Sequence, residues 1–359
     1  MVYITDAMEM VDHMPHPAFC VREGIIVKVN PAAAARMIEP GTNISDLLKT
    51  GKEEYSDFSG GCLYLTLSLC GSAWGASVIR KKDFDLFTLE QDEHRSALQA
   101  MALAARELRA PLASIMITAD RLFPMADLDN PEMREHAARI NRSLFQMLRV
   151  ISNMSDANRF SADTDARQEV RDVRGIFSEI IAKAAALAEH SGIRVEAQIH
   201  PESVYSLVDA EKLERAVYNI VSNALKFTPE GGLLQVSLTR RGDKLYFSVR
   251  DEGPGIAENL RSGIFSRYTR EPGLEDGRFG IGLGLVLIRS AASLHDGTVL
   301  VDHPQGKGTR ITMSMTIRQE GTNLRSRMLS VDYAGERDHG LIELSDSLPV
   351  NLYEKDYIN

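Results

Sequence analysis

Cysteine is scarce in this 359-residue chain: Cys20, Cys62 and Cys70 are the whole complement, all in its first fifth, with no C-x-x-C pair. An odd number of thiols without paired spacing implies no disulfide framework and suits a reducing compartment. Long apolar runs are missing too. No stretch reaches the roughly 18–20 uncharged apolar residues of a membrane span, and the opening "MVYITDAMEM" lacks the basic-then-apolar order of a signal peptide. A cytoplasmic chain without a membrane span is therefore expected. Positive charge is the third shortage: 41 Lys and Arg stand against 50 Asp and Glu, a formal net charge of -9. Nucleic acid and anionic membrane need a basic footprint that this chain lacks, which leaves a protein or a small molecule as partner. His13, His16 and Cys20 lack the fourth ligand of a closed tetrahedral metal site and are read as loop and core residues. What is present is the balance of a globular protein, 44% hydrophobic and 25% charged, at a length sufficient for two or three domains.

Residues 8–88 read as a small α+β unit. "GIIVKVNPAAAARMI" is a β-rich run that meets Asn-Pro and a short helix, and "LYLTLSLCG" alternates apolar and polar positions. Within 89–160 the period changes. Leu98, Met101, Ala105, Leu108, Leu112, Ile115, Ala119 and Leu122 recur three and four residues apart, the a/d seam of a long bundle helix. A second seam runs through Met133, Ala137, Ile140, Leu144, Met147, Ile151 and Met154, behind Asn130 as N-cap and Pro131 in the first turn. Two long helices joined by so short a loop are antiparallel. A lone hairpin leaves its seam bare, whereas two copies close a four-helix bundle, so a homodimer is expected.

Residues 167–318 mix helices and strands as an α/β sandwich. "DAEKLERAVYNIVSNALKFTP" is a helix with Asp209 as N-cap and an apolar stripe through Leu213, Val217, Ile220, Ala224 and Leu225. "LLQVSLTRRGDKLYFSVRD" is a hairpin turning at Gly242 and Asp243. The tail, 319–359, carries an apolar cluster at Leu341, Ile342, Leu344 and Leu348. It reads equally as a docked short helix, a partner-binding segment or a weakly ordered extension.

On the sandwich helix Asn219, Asn223 and Lys226 sit at i, i+4 and i+7 and share one face. Two amide oxygens suit a Mg²⁺ ion, and one ammonium suits a phosphate chain. "DEGPGI" (251–256) ends a strand, and "FGIGLGL" (279–285) opens a helix near Ile281 whose first N–H groups and dipole favour an anion. Asp251 can accept a hydrogen bond from an exocyclic amine such as that of adenine. Between the glycine clusters, Arg261, Arg267 and Arg270 lie in a stretch long and polar enough for a mobile lid.

Taken in order, "NIVSNALKFTP", "DEGPGI", "FGIGLGL" and "GKGT" resemble the nucleotide-binding boxes of the histidine kinase catalytic domain, a branch of the GHKL ATP-binding superfamily. The resemblance implies ATP and Mg²⁺ as cofactors, with Asn219 and Asn223 on the metal, Lys226 on phosphate and Asp251 on adenine. Gly253, Gly255, Gly280, Gly282, Leu283, Gly284 and Thr309 would shape the pocket. "GIFSRYTR" is similar to the family's phenylalanine box, with Phe265, Arg267 and Arg270 in place and Ser266 where an acid is usual. "HPAFCVREGIIVKVNPAAAARM" resembles the opening of a PAS sensor domain. The implied architecture is a multidomain α+β chain: a PAS-like domain over 8–88, a dimerising helical hairpin over 89–160, and a GHKL-type ATP-binding domain over 167–318.

The superfamily's hydrolases carry a glutamate, the base for water, where this chain has Asn219. An amide cannot take that proton, so the implied use of ATP is transfer rather than hydrolysis. The hairpin's "RELRAPL" resembles the phosphoacceptor box, with Glu107, Leu108, Arg109, Pro111 and Leu112 matching and Arg106 standing where the family has its histidine. A neutral imidazole offers a lone pair to phosphorus, but a guanidinium with a pKa above about 12 does not. Ala110 likewise replaces the residue that assists partner dephosphorylation. Three readings follow: a cytoplasmic sensor histidine kinase that signals to a response regulator; a degenerate kinase that acts as an ATP-binding dimeric module without autophosphorylation; or a kinase that phosphorylates a histidine supplied by another protein or by a related subunit in a heterodimer.

Overall fold

The structure is a computed structural model. It describes residues 10–89, 94–123, 130–159, 168–257, 264–265, 283–304, 307–318 and 337–354. The first part of the chain holds strands β1 (Ala18–Arg22) and β2 (Ile25–Val29), short helices α1 (Pro31–Ala34), α2 (Ile44–Leu47) and α3 (Lys52–Asp57), and strands β3 (Cys62–Leu69), β4 (Ser72–Arg80) and β5 (Asp85–Leu89). Asn30 caps α1 through its side chain, as Asn-Pro demands, and its amide also accepts from the Ala18 N–H at 3.0 Å. One buried Asn thus ties the helix to β1.

Helices α4 (His94–Leu122) and α5 (Pro131–Arg159) form the expected hairpin. The Asn130 side chain accepts from the Glu132 N–H at 2.9 Å, which starts α5 behind its first-turn proline. The predicted seam divides in two. Ala105, Leu112, Met116 and Ala119 are buried inside the hairpin with Ala138, Leu144, Leu148 and Ile151, while Leu108, Ile115, Leu122, Met133, Ile140 and Met147 are exposed. A single antiparallel neighbour can cover only one side of an a/d stripe.

Then come β6 (Glu169–Asp172), α6 (Val173–Glu189), β7 (Arg194–Ile199), β8 (Tyr205–Val208), α7 (Ala210–Phe227), β9 (Leu233–Arg241), β10 (Lys244–Arg250), α8 (Gly284–Leu294), β11 (Val299–Asp302) and β12 (Arg310–Thr316). Asp209 caps α7, accepting from the Lys212 N–H at 3.1 Å. The inward residues of the β9–β10 hairpin, Leu234, Val236, Leu238, Leu245, Phe247 and Val249, are all buried, and Phe247 stacks on Phe177 of α6 with ring centres 4.7 Å apart. Helix α8 begins at Gly284, three residues after the expected Ile281, with Leu283 as N-cap.

A single ten-stranded sheet runs β2-β1-β5-β4-β3-β11-β12-β10-β9-β7. It joins two five-stranded sheets edge to edge at β3 and β11, where Val299, Leu300 and Val301 pair with Tyr64, Leu63 and Cys62. On the same junction Glu54 of α3 receives Lys244 at 2.7 Å and the Tyr246 hydroxyl at 3.3 Å. Each sheet thereby covers an edge that would otherwise offer unpaired N–H and C=O groups.

The tail is docked. Asp338 caps α9 (His339–Glu343), and Leu341, Ile342, Leu344, Leu348, Leu352 and Tyr353 are buried against α5, α6 and α7. The Tyr353 ring meets Phe145 edge-on at 5.4 Å, and its hydroxyl donates to the Leu341 carbonyl at 2.7 Å. Among the described residues no helix is long and apolar enough to cross a membrane.

The sheet junction depends on Gly61, which has φ +91°, and where an added Cβ would stand 2.3 Å from the Val301 carbonyl oxygen. Gly61→Ala is expected to lower unfolding free energy by about 1–3 kcal/mol in urea titration. Gly60→Ala, with nothing within 4 Å, is expected to stay within about 0.5 kcal/mol.

Candidate nucleotide site

Helix α7 is buried on nearly every side and presents one polar face, on which Arg215, Asn219, Ser222, Asn223 and Lys226 recur three and four residues apart. Asn219 is 1% exposed, and its amide nitrogen donates to the Arg215 carbonyl at 2.8 Å. That bond leaves its Oδ1 toward the start of α8, where a Cβ on Gly284 would stand 3.1 Å from Asn219 Oδ1 and 3.7 Å from the Asn223 amide nitrogen. Glycine at this position lets the first turn of α8 approach both amides. Leu283 gives α8 no side-chain cap, and the positive end of the helix dipole lies at that turn.

The second wall is built from the ends of β10 and β12. Asp251 is 5% exposed, and its Oδ1 accepts from the Gly253 N–H at 2.8 Å and the Thr309 N–H at 3.0 Å. Burial raises the Asp251 pKa above its ordinary value, opposed by those two N–H groups and by His303. Gly308 has φ +69°, and a Cβ there would stand 2.0 Å from the Asp251 carbonyl oxygen, so a side chain would push the two strand ends apart. Gly253 packs on the Phe227 carbonyl at the end of α7, with a Cβ position 2.7 Å away, and Gly255 (φ +79°) lies beside His303. The glycine-rich strand end, the asparagine helix and the start of α8 therefore converge.

Lys226 lies on the same face of α7, three residues beyond Asn223. Its Nζ is 3.3 Å from Asp346 Oδ2 in the docked tail, the same carboxylate oxygen that Arg149 Nη1 of α5 holds at 2.6 Å. Arg149 also donates to the Ser222 hydroxyl at 2.9 Å. On the hairpin, Arg106 and Glu107 are exposed, as expected of a position beside the seam. Arg261, Arg267, Arg270, Gly280 and Gly282, with the expected lid, lie outside the described residues. Phe265 is described: it is 1% exposed, its carbonyl accepts from Arg289 of α8 at 2.7 Å, and its ring is 5.6 Å from that of Tyr64 on β3.

Several contributors carried no motif. Arg289 interrupts an otherwise apolar helix; burial depresses its pKa, and its guanidinium lies 5.4 Å from the Tyr64 ring. His295 ends α8. Its Nδ1–H donates to the Ala291 carbonyl at 2.7 Å, and its Nε2 accepts from the Asp209 N–H at 3.1 Å, which fixes the neutral tautomer and links the end of α8 to the cap of α7. Burial lowers its pKa. The available signal was a charged or titratable residue inside an apolar helical stretch.

Residues 208–319 match the family described as histidine kinase-, DNA gyrase B-, and HSP90-like ATPase. The sensor-like histidine kinase SenX3 of Mycobacterium tuberculosis is 31% identical over 222 residues, which is 60% of this chain and 52% of SenX3. The histidine protein kinase DivJ of Caulobacter vibrioides is 32% identical over 230 residues, 60% of this chain and 37% of DivJ. The chain thus spans about half the length of SenX3 and less of DivJ. Full-length ShkA, solved in complex with AMPPNP, superposes with a TM-score of 0.51 over 63% of this chain and 47% of ShkA at 24% identity, a likeness of fold.

The buried carboxyl has a pH signature. Because its folded pKa is raised, Asp251 binds a proton more readily folded than unfolded. Its contribution to stability is complete below the ordinary value near 3.8 and is lost as pH rises through the raised value. Urea unfolding across pH 3–7 should show this fall in the parent chain. In Asp251→Asn that part of the slope should be absent.

Proposed function

We propose that this chain, a relative of the sensor histidine kinases with a GHKL-type ATP-binding domain, binds ATP with Mg²⁺ and serves two-component signalling. It delivers the γ-phosphoryl group to a histidine other than its own position 106, and from there to a response regulator. The observation that carries this reading is the convergence of Asn219 and Asn223, the uncapped start of α8 and the doubly held Asp251 carboxylate.

Each residue then has a defined task. Asp251, oriented through Oδ1 by the Gly253 and Thr309 amides, keeps Oδ2 for the adenine amine. Lys226 and the first N–H groups of α8 neutralise the phosphate chain. Asn219 and Asn223 fit Mg²⁺ because the Arg215 carbonyl engages the Asn219 nitrogen and leaves its hard oxygen toward the pocket. When bound, the ion supplies charge neutralisation along the triphosphate. Among the described residues of α7 the position of a hydrolytic base is occupied by the amide of Asn219, which does not activate water.

In the finer architecture, residues 8–88 are a PAS-like sensor domain, 89–160 a dimerisation hairpin, 167–318 the ATP-binding domain and 319–359 an accessory tail. The sheet order β2-β1-β5-β4-β3 and the Asn30-capped helix support the first assignment. The bare stripe of Leu108, Ile115, Leu122, Met133, Ile140 and Met147 supports a homodimer, or a heterodimer with a related kinase, closing a four-helix bundle. We place this assembly in the cytoplasm.

Arg106 favours a second reading, in which the chain is a degenerate kinase that binds ATP and signals by conformation alone. The intact pocket weighs toward phosphoryl transfer and the guanidinium against self-transfer. Incubation with Mg²⁺ and γ-labelled ATP separates these readings. The parent chain is expected to remain unlabelled, Arg106→His to gain acid-labile, base-stable label, and Asn223→Ala in the Arg106→His background to lose it. Label on the parent chain that Asn223→Ala removes would show another acceptor in the chain. Failure of Arg106→His to label would favour the degenerate reading.

The dimer has its own test. Ile115→Glu places a charge on the bare stripe and is expected to shift the chain to monomer in sedimentation velocity, with a circular dichroism spectrum like the parent's.

A further inference from the structure

The docked tail brings an acidic group to the edge of the nucleotide pocket. Asp346 Oδ2 lies 2.6 Å from Arg149 Nη1 and 3.3 Å from Lys226 Nζ. The three side chains come from three segments, and all are largely withdrawn from solvent, with exposures of 7% for Arg149, 10% for Lys226 and 15% for Asp346. Arg149 is also held by the Ser222 hydroxyl at 2.9 Å and by Glu343 at 3.5 Å. Two preorganised cations converging on one carboxylate oxygen make a site for an oxyanion, and such a site binds a phosphate oxygen by the same chemistry.

We propose that Arg149 and Lys226 form one anion site that Asp346 fills in this structure and that the phosphate chain of a nucleotide takes in exchange. The inference rests on the reading of Lys226 as a phosphate ligand and extends it to Arg149 and Asp346. Arg149 belongs to the hairpin, so the phosphate chain bridges the hairpin and the ATP-binding domain. Asp346 is the intramolecular competitor, and its local concentration is set by the anchors Leu344 and Leu348 on either side of it, both buried. Only the turn around Asp346 has to yield, since α9 and Tyr353 keep their own apolar and hydrogen-bonded seats. When the turn yields, it gives up the hydrogen bonds that Arg142 donates to the Ser345 and Asp346 carbonyls at 3.1 and 3.3 Å.

The test is calorimetric titration of the full-length chain with ATP and, separately, adenosine, each with Mg²⁺, in the parent, Asp346→Asn, Arg149→Gln and Asp251→Asn. Removing the competing charge in Asp346→Asn is expected to tighten ATP about five- to tenfold, and Arg149→Gln is expected to weaken ATP by a similar factor. Both should leave adenosine, which has no phosphate, unchanged. Hydrogen exchange on the parent chain should show faster exchange at 344–347 with ATP and no change with adenosine. If Arg149→Gln does not fold, Asp346→Asn and the exchange measurement decide. ATP binding by the parent with no change in Asp346→Asn, no change in folded Arg149→Gln, or unaltered exchange at 344–347 overturns the shared site. If the parent binds neither ATP nor adenosine, the nucleotide reading itself fails. Loss of both ligands in Asp251→Asn alone upholds that reading whatever the fate of the tail.

Discussion

Arg215 is the constraint around which this chain is arranged. Its guanidinium is 1% exposed and reaches Asp156 of α5 at 2.8 Å, the Asn153 amide oxygen at 2.7 Å, and Glu343 of the tail at 3.6 Å. A buried cation is tolerated only with its partners in place. Removing one partner of such a pair costs about 3–5 kcal/mol, a large part of a net stability of about 5–15 kcal/mol. The Arg215 carbonyl is also the acceptor that turns Asn219 toward the pocket. The residue that fixes the hairpin and the tail on α7 therefore sits one turn from the residue that faces the nucleotide site, and α7 cannot rotate to relax one without disturbing the other.

A second route reaches the same pocket from the first part of the chain. Tyr64 of β3 pairs in register with Val299 of β11, lies against Phe265, and has Arg289 of α8 beside its ring. Glu54, on the neighbouring helix, takes Lys244 from the far end of β10. A small shift of β3 relative to β11 would be felt by Phe265 and Arg289, which both pack on Tyr64, because close-packed interiors pass displacement on rather than absorb it. The N-terminal unit and the nucleotide pocket are thus mechanically continuous, through one strand pair and one aromatic contact.

Much of this was legible in the sequence. Helix caps at Asn130 and Asp209, the β9–β10 hairpin at Gly242 and the long hairpin all follow from local chemistry that acts within a few residues. The motif spacing also anticipated that Gly284 would meet Asn219 and Asn223 and that Gly253 would lie beside Asp251, while Gly280 and Gly282 lie outside the described residues. The edge pairing of β3 with β11 was not, since nothing in either strand encodes its neighbour across more than two hundred residues. The division of the hairpin seam depends on what covers each side, which periodicity leaves open. Helix α8 starts at Gly284, behind Leu283, rather than at the expected Ile281. Glu343 and Asp346 stood out only as acids within "LIELSDSL", and their partners Arg215 and Arg149 lie on helices read as apolar stripes.

The docking of the tail has a consequence for synthesis. Asp346 lies 120 residues beyond Lys226 in the chain, and Glu343 comes only three residues earlier. A ribosome completes α7, with Arg215 and the earlier Asp156, long before Glu343, the second carboxylate on that guanidinium, has been made. At about 5–20 residues per second, that gap lasts on the order of ten seconds, during which the groove between α5 and α7 is open. Until then the apolar residues of α5, α6 and α7 lack the tail that covers them, and Arg215 has one of its two carboxylates.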